Sequence, residues 1–512
     1  MNLLKAASTI SLLTLTSRIT GLVREIMVAT FFGASAWTDA FNVAFRLPNL
    51  LRRMFAEGAF SQAFVPLLSQ TRQTKSVEQT QELIDQVSTA LFWILAAISL
   101  AGVLLAPVLV WLTASGLHPE AFDAAIWMTR LMFPYAGLIS LVALSAGILN
   151  TWKHFAVPAV TPALLNLAII GAAVGLHRLV HPPIYALAIG VMIGGVAQLA
   201  VQWPALRRYA VVPRFRLSFL KAWRSEGVHR VVKQMLPASL SVSVAQVSIV
   251  INTQIASHLA AGSVSWLAYA DRLMEFPTAI LGVALGSVLL PSLSRAVATE
   301  DVAKYSTLLD WGLRLTLLLA LPSAIALLIF AQPLVSMLYN YGRFDHADVL
   351  ATTSALRAYG IGLIALIGIK ILAPGFYARQ DLRTPVKIAM VVLACTQLMN
   401  LLFVPWLGHA GLALAISIGA LLNASLLFRG LRKRGMFQPQ PGWGRYVGKV
   451  ALAQIPLGGL MLWGAAALPW DRAHGTVLRL GMGLGLLAVS ALLYFATLRL
   501  LGFRLRQFMH SE

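Results

Sequence analysis

The chain has 512 residues, of which 58% are hydrophobic and 12% charged, with a net charge of +21 and a mean hydropathy of +0.76. Soluble domains carry about 25% charged residues, so an ordinary soluble enzyme or soluble binding module is excluded. Cys395 is the only cysteine, which excludes an intrachain disulfide.

Apolar runs of ~18–25 residues recur from end to end and predict membrane-spanning helices. Barrel strands are shorter and alternate, so an all-α polytopic membrane protein is expected. About fourteen spans are predicted, centred near residues 17, 41, 98, 138, 168, 194, 248, 280, 318, 360, 394, 419, 457 and 488. Lys5 precedes the first span, and no small-residue cleavage site follows a short apolar core, so no cleaved signal peptide is expected. The longest polar connectors are Gln70–Gln86, read as ending in a short surface helix, and the basic stretch Arg207–Val232.

The location of the positive charge decides its meaning. Basic residues crowd alternate connectors: Arg52, Arg53, Arg72 and Lys75, then Lys153, then Arg207, Arg208, Arg214, Arg216, Lys221, Arg224 and Arg230. The pattern continues with Arg295 and Lys304, with Arg379, Arg383 and Lys387, and with Arg429, Arg432, Lys433, Arg434, Arg445 and Lys449. The connectors between are nearly bare. This is the positive-inside pattern, and it places both termini in the cytoplasm rather than indicating nucleic acid. His118, His258 and His409 fall in the bare connectors and are read as solvated loop residues.

The first two spans keep charges inside them. Arg18, Arg24 and Glu25 lie in the first, and Asp39, Arg46, Arg52 and Arg53 in and after the second. An arginine facing lipid at the helix centre costs about 2.5–3.5 kcal/mol or more, so a water-filled cationic cavity is expected, and with it an anionic cargo. Asp39, Arg46 and Arg53 are spaced by sevens, as are Asn42 and Asn49, so they form one helical stripe. That stripe lines a cleft or serves as polar glue between packed helices. Pro48 lies within it and is expected to kink rather than end the helix. Arg18 and Glu25 share a face, and Glu25 is a counter-ion candidate for one arginine. In the eighth span Asp271 and Glu275 share a face beside Arg272. Lys370 lines the cleft or snorkels to an interface.

The chain also repeats itself. Gly33, Trp37 and Pro48 recur as Gly262, Trp266 and Pro277 at one offset of 229 residues, and Pro66–Ser69 resembles Pro291–Ser294. Six spans per repeat give a parallel repeat, an arrangement suited to alternating access around a site between the two halves.

The stretch from Thr38 through Asp39, Arg46, Pro48, Arg52, Arg53, Glu57 and Gly58 to Pro66 resembles the MurJ (MviN) family of lipid II flippases. Trp266–Pro277 and Leu372–Asp381 carry the same resemblance. It runs over essentially the whole chain and points to a proteobacterial member of the multidrug/oligosaccharidyl-lipid/polysaccharide exporter superfamily. The resemblance implies two pseudo-symmetric six-helix bundles around a central cationic cavity, expected at residues 1–225 and 226–435. Residues 436–512 would add two helices forming a lipid-tail groove. It implies that the chain is no enzyme and flips lipid II from the inner to the outer leaflet of the bacterial inner membrane. Arg18, Arg24, Asp39, Arg52 and Arg272 match the functionally important charges of the family, while Glu57, Arg53, Asp271 and Glu275 are gating candidates. Membrane phospholipid and the cell-wall synthesis and division proteins are candidate partners; nucleic acid is not expected. No cofactor or metal is expected, and the membrane potential is the candidate drive. Some superfamily members bind sodium through an acid in the second bundle. Here residues 234–261 and 388–404 hold no Asp or Glu, which leaves that site without its acidic ligand.

Rival readings are a flippase for another polyprenyl-linked saccharide, a drug exporter of the same architecture, or an integral-membrane enzyme. A drug exporter for cations would favour an acidic or aromatic cavity. An enzyme would need a clustered nucleophile and base or metal-binding carboxylates, and none is evident. An ATP-driven pump would need a phosphate-binding glycine loop, which is also missing.

Overall fold

The computed structural model describes residues 3–54, 60–470 and 475–503, with side chains except those of residues 3–12, 14, 53–54, 62, 236–245 and 283–288. The arginine at 53 and the glutamate at 57 therefore lie outside the described side chains. The chain forms α1 (Leu3–Phe32), α2 (Ala36–Met54), α3 (Phe60–Thr74), α4 (Val77–Leu104), α5 (Ala106–Ala114), α6 (Pro119–Thr151), α7 (Ala156–Gly175), α8 (Tyr185–Arg208) and α9 (Phe219–Trp223). These are followed by α10 (Glu226–Ser257), α11 (Ser263–Ala298), α12 (Val302–Ile329), α13 (Ala331–Tyr339), α14 (His346–Tyr377), α15 (Arg383–Leu407), α16 (His409–Lys433), α17 (Trp443–Ala467) and α18 (Thr476–Leu500). All eighteen described elements are helices.

Fourteen of them have 19 residues or more, and each covers or closely flanks one of the expected span centres. Ten are long and apolar enough to cross a membrane by length and composition among the described residues. The other four, α1, α2, α10 and α11, each carry three or more Asp, Glu, Lys or Arg. On α1, α2 and α11 these include the charges that the sequence places inside its spans, whereas those of α10 lie in its first turns.

The chain divides into two compact units, Met1–Val264 and Ser265–Glu512. In the first, α6 packs on α2, α4 and α8, and α7 packs on α1 and α8. In the second, α14 packs on α12 and α16, and α15 packs on α16. The contacts of α14 with α12 and α16, and of α15 with α16, repeat those of α6 with α4 and α8, and of α7 with α8, so the repeat extends from sequence into packing. Small residues permit the close approaches: a Cβ on Gly190 or Gly194 of α8 would come within about 3 Å of the α7 backbone at Ile169 or Leu165. Such small-residue seams replace the hydrophobic drive that lipid cannot supply.

Details of the two halves also coincide. Gly33 and Gly262, the repeated glycines, both take positive φ (67° and 97°) in the turn that enters the next helix. That left-handed backbone favours glycine. The ends of α6 and α14 match as well: Lys153 and Gln380 both have positive φ, and the next residue donates back to Leu149 O at 2.9 Å or Phe376 O at 3.1 Å. Buried Asp85 on α4 accepts from Arg214 N at 3.0 Å, and buried Asp310 on α12 accepts from Gln440 N at 3.0 Å. Each carboxylate thus pins the segment that leaves the last helix of its repeat.

One expectation about the connectors is corrected. Gln70–Gln86 is no loop with a surface helix: α3 runs to Thr74 and α4 starts at Val77. Ser76 caps α4, with Gln79 completing a capping box, so a polar helix continues where composition suggested a linker. The short helices α5 and α13, nine residues each in equivalent places, were not anticipated.

The final pair, α17 and α18, is fastened to the second unit. Trp443 Nε1 donates to Asp310 Oδ1 at 2.7 Å, Tyr446 OH to Arg314 O at 2.6 Å and Tyr494 OH to Leu318 O at 2.7 Å. Buried Arg479 donates to Ser336 O and Asn340 O at 3.3 and 3.4 Å, at the C-terminal end of α13. A cation there satisfies carbonyls that the helix leaves open and suits its dipole.

Candidate functional site

The first cluster is built on one face of α1. Ser17, Thr20, Gly21 and Arg24 are three, four and seven apart and so line up. Across from them stands Asn166, a buried amide in the apolar helix α7. Its Nδ2 donates to Ser17 O at 3.1 Å and to Thr20 Oγ1 at 3.2 Å. This leaves Oδ1 to accept from Arg24 Nη1 at 3.1 Å. Gly21 makes room, since a Cβ there would already touch Asn166 Nδ2 at 3.5 Å. Arg24 Nη2 is also paired with Glu25, and the two side chains are only 11% and 18% exposed. Glu25 is therefore a counter-ion for Arg24. Arg18 is half-buried on the same helix, about 9 Å along the axis from Arg24.

The α2 stripe is directed at α10 and the turn after it. Helix α2 runs through Pro48. Asp39, 3% exposed, accepts from Gly262 N at 2.7 Å. Arg46 Nη1 donates to Thr253 Oγ1 on α10. Further along, Arg52 Nε donates to Asn49 Oδ1 at 3.1 Å. Asp39 and Arg46 thus act here as polar contacts between helices. At the same end of this unit, Ser115 N donates to Gln254 Oε1 at 2.9 Å and Gly116 N to Ser257 Oγ at 3.2 Å, so α5 also grips α10.

In the second unit the charges lie on α11. Arg272 Nη1 meets Glu275 Oε2 at 2.9 Å, with the side chains 37% and 46% exposed. Asp271 is exposed beside them. The helix is oriented by Trp266, whose Nε1 donates to Asp348 Oδ1 at 2.8 Å. Lys370 of α14 lies across Gly282 of α11, where a Cβ would come within 2.4 Å of its Cδ. Its stem packs on α11 rather than reaching out to lipid. His409 is not a solvated loop residue: it is half-buried, bonded to Ala351 O at 2.8 Å, with its ring 4.9 Å from Trp266.

Asn166, Thr253 and Asp348 were not singled out from sequence. Asn166 left a signal, because an amide in an otherwise apolar span must find a partner. Thr253 and Asp348 left none.

Arg24 and Arg272 are each paired with a glutamate on their own helix, whereas Arg46 and Arg52 are bonded to Thr253 and Asn49. A family model described as lipid II flippase MurJ matches residues 28–477. A lipid II flippase MurJ from Burkholderia cenocepacia is 53% identical, covering 99% of both chains. The chain belongs to the MurJ family. A probable lipid II flippase MurJ from Vibrio cholerae is 37% identical over 98% of this chain and 97% of its own. Among solved structures, a lipid II flippase MurJ in an inward closed conformation matches with a TM-score of 0.78 at 25% identity. The match covers 96% of this chain and 99% of that one. An inward-facing multidrug resistance MATE transporter of the MOP superfamily matches with a TM-score of 0.69 at 16% identity, over 82% and 94% of the two chains. That second likeness shows the fold alone. The MurJ family model spans Asp39, Arg46, Arg52 and Arg272, and the Burkholderia relative extends the match across Arg18, Arg24 and α18.

Proposed function

We propose that this chain moves lipid II, the undecaprenyl-pyrophosphate-linked peptidoglycan precursor, from the cytoplasmic to the periplasmic leaflet of the bacterial inner membrane. Both termini would lie in the cytoplasm, on the side of the basic connectors. The observation that carries the reading is the full-length 53% identity to a lipid II flippase. The charges supply its physical side. A pyrophosphate brings about two negative charges, and burying them unpaired in hydrocarbon is prohibitive.

Arg24 is held by Asn166, so its guanidinium keeps its aim when Glu25 lets go. The pyrophosphate would take the place of Glu25 and gain charge-assisted, fork-shaped hydrogen bonds. Arg18 would add charge on the same helix. Arg272 would make the equivalent exchange with Glu275 in the second unit. Sugars and peptide would travel in water, and the polyprenyl tail would stay in lipid or against α17 and α18. Asp39 and Arg46 would hold α10 against α2 in this state and release it in the other. Arg52, Arg53, Glu57 and Asp271 would take part in gating.

The membrane potential would supply the drive. Outward movement of negative charge from a negative interior yields about 2.3 kcal/mol per charge per 100 mV, so about 5 kcal/mol for two charges. Arginines moving with the cargo would reduce this.

The test is transfer by the purified full-length chain in vesicles carrying fluorescent lipid II. The expected result is faster exposure of the label to an impermeant quencher than in protein-free vesicles, with Arg24→Ala returning the rate to the protein-free value. Equal rates with and without the wild-type chain would overturn the reading.

A further inference from the structure

The segment between α8 and α10 is no slack linker. Gln81, Asp85, Thr89 and Trp93 lie four apart on one face of α4, and each bonds the segment in turn. Gln81 Nε2 donates to Val212 O at 3.0 Å, and Asp85 Oδ1 accepts from Arg214 N at 3.0 Å. Thr89 Oγ1 accepts from Arg216 N at 3.1 Å, and Trp93 Nε1 donates to Arg216 O at 3.2 Å. Two residues of extended chain advance about 6.6 Å and four helical residues about 6 Å, so the two ladders stay in step.

The segment therefore runs lengthwise along α4. It starts beside the polar turns Glu78–Gln86 and ends about 13 Å further on, where α4 becomes apolar beyond Ala90. Phe92 and Trp93 stand exposed at that transition. Exposed aromatic residues at such a transition mark headgroup level.

At this level the chain turns into α9. Phe215 sits 5.2 Å from the Phe92 ring, Leu217 is 91% exposed and Leu220 is 64% exposed. Between and around them stand Arg214, Arg216, Lys221 and Arg224, all exposed. Arg216 lies 3.7 Å from Asp85; among the described residues Arg214, Lys221 and Arg224 have no carboxylate partner. Exposed leucines interleaved with cations, held at the membrane boundary by a hydrogen-bonded ladder, complement an anionic lipid surface.

We propose that residues 214–224 are a docking surface for anionic phospholipid headgroups in the leaflet bordering this end of α4. Leu217 and Leu220 enter the acyl boundary, and Arg214, Arg216, Lys221 and Arg224 gather phosphates above it. The inference is independent of the cargo.

The test uses the full-length chain with Cys395→Ala and Leu217→Cys, labelled at the new thiol with a fluorophore. It is reconstituted in phosphatidylcholine vesicles with a minority of phosphatidylglycerol, with brominated acyl chains on one lipid or the other. Quenching by brominated phosphatidylglycerol should exceed its share of the lipid by about five-fold or more, the effect of a single basic residue at an anionic surface. Added salt should reduce the excess, and replacing the four basic residues by Gln should abolish it while helicity and thermal unfolding stay unchanged. Trp93→Phe, which removes only the last rung, should weaken quenching by both lipids. Equal quenching per lipid would overturn the anionic preference. No quenching by either would place the surface away from the membrane. Displacement of the excess by inorganic phosphate as readily as by phosphatidylglycerol would assign the site to soluble anions instead.

Discussion

The carboxylate of Asp39 accepts a hydrogen bond from the backbone N–H of Gly262 at 2.7 Å, out of contact with solvent. The bond ties the first turn of α2 to the turn that follows α10, and Gly262 reaches it with a φ of 97°. Asp39→Ala leaves a buried donor without its partner, at a cost of about 1–3 kcal/mol. Asp39→Asn keeps an acceptor and should cost less. Thermal unfolding of the purified variants should rank wild type, Asn, Ala in falling stability. An Ala variant as stable as wild type would mean that the bond carries no load.

Arg24 is predicted to need its fork as well as its charge. Arg24→Lys should insert and fold but lose most transport, because a compact ammonium lacks the planar fork that offers one nitrogen to Asn166 and another to a phosphate. Asn166→Ala should impair transport less, since it frees the aim of Arg24 without removing the charge. Complementation of depleted cells, with membrane abundance as the control, separates these outcomes.

Arg272→Ala should likewise leave a folded, inserted protein that does not transport. Glu275→Gln should keep substantial activity, because in the proposed exchange Glu275 gives up its place on Arg272 to the cargo. Normal transport by Arg272→Ala would contradict a role for Arg272 in transport.

The turn between α14 and α15 carries a pH dependence. Burial alone would raise the Asp381 carboxyl, but hydrogen bonds from the Thr384 side chain and backbone, and from Arg434, outweigh it and hold it at about 2. A depressed carboxylate stabilises the fold above its unfolded value of about 3.9. That contribution fades as pH falls through about 2. The Thr384 amide, which donates to Asp381 Oδ1 at 3.0 Å, should exchange faster once pH drops from 4 toward 2, relative to its intrinsic rate. Asp381→Asn should show no such step. This turn ends the Leu372–Asp381 motif, whose Gly375 O accepts from Tyr305 OH at 2.5 Å.

The helices were legible in the sequence because a bilayer demands long apolar runs, and such runs survive any detail of packing. The repeat was legible because Gly33 and Gly262 answer a backbone requirement that few other residues meet. Arg24 and Arg272 stood out because charge in a membrane span is costly. Their partners were less visible. Asn166 lies 142 residues from Arg24, and Thr253 lies 207 from Arg46. Gln81 and Asp85, the first rungs of the ladder, read as part of a polar connector, since their partners lie beyond residue 210. His409 read as a loop histidine because helix α16 begins on it, while its packing against Trp266 is set by a distant helix.

Collapse of the membrane potential in vesicles should slow outward transfer of lipid II while leaving its binding intact. Unchanged transfer would rule out that drive.

The most direct measurement is made in cells depleted of this chain and lacking any second lipid II flippase. It asks what fraction of lipid II is reached by a cleaving probe confined to the periplasm. The account predicts that the accessible fraction collapses on depletion, returns with the wild-type chain, and does not return with Arg24→Ala at equal membrane abundance. An accessible fraction unchanged by depletion would contradict lipid II as the cargo. Full recovery with Arg24→Ala would contradict the arginine cluster as its binding site.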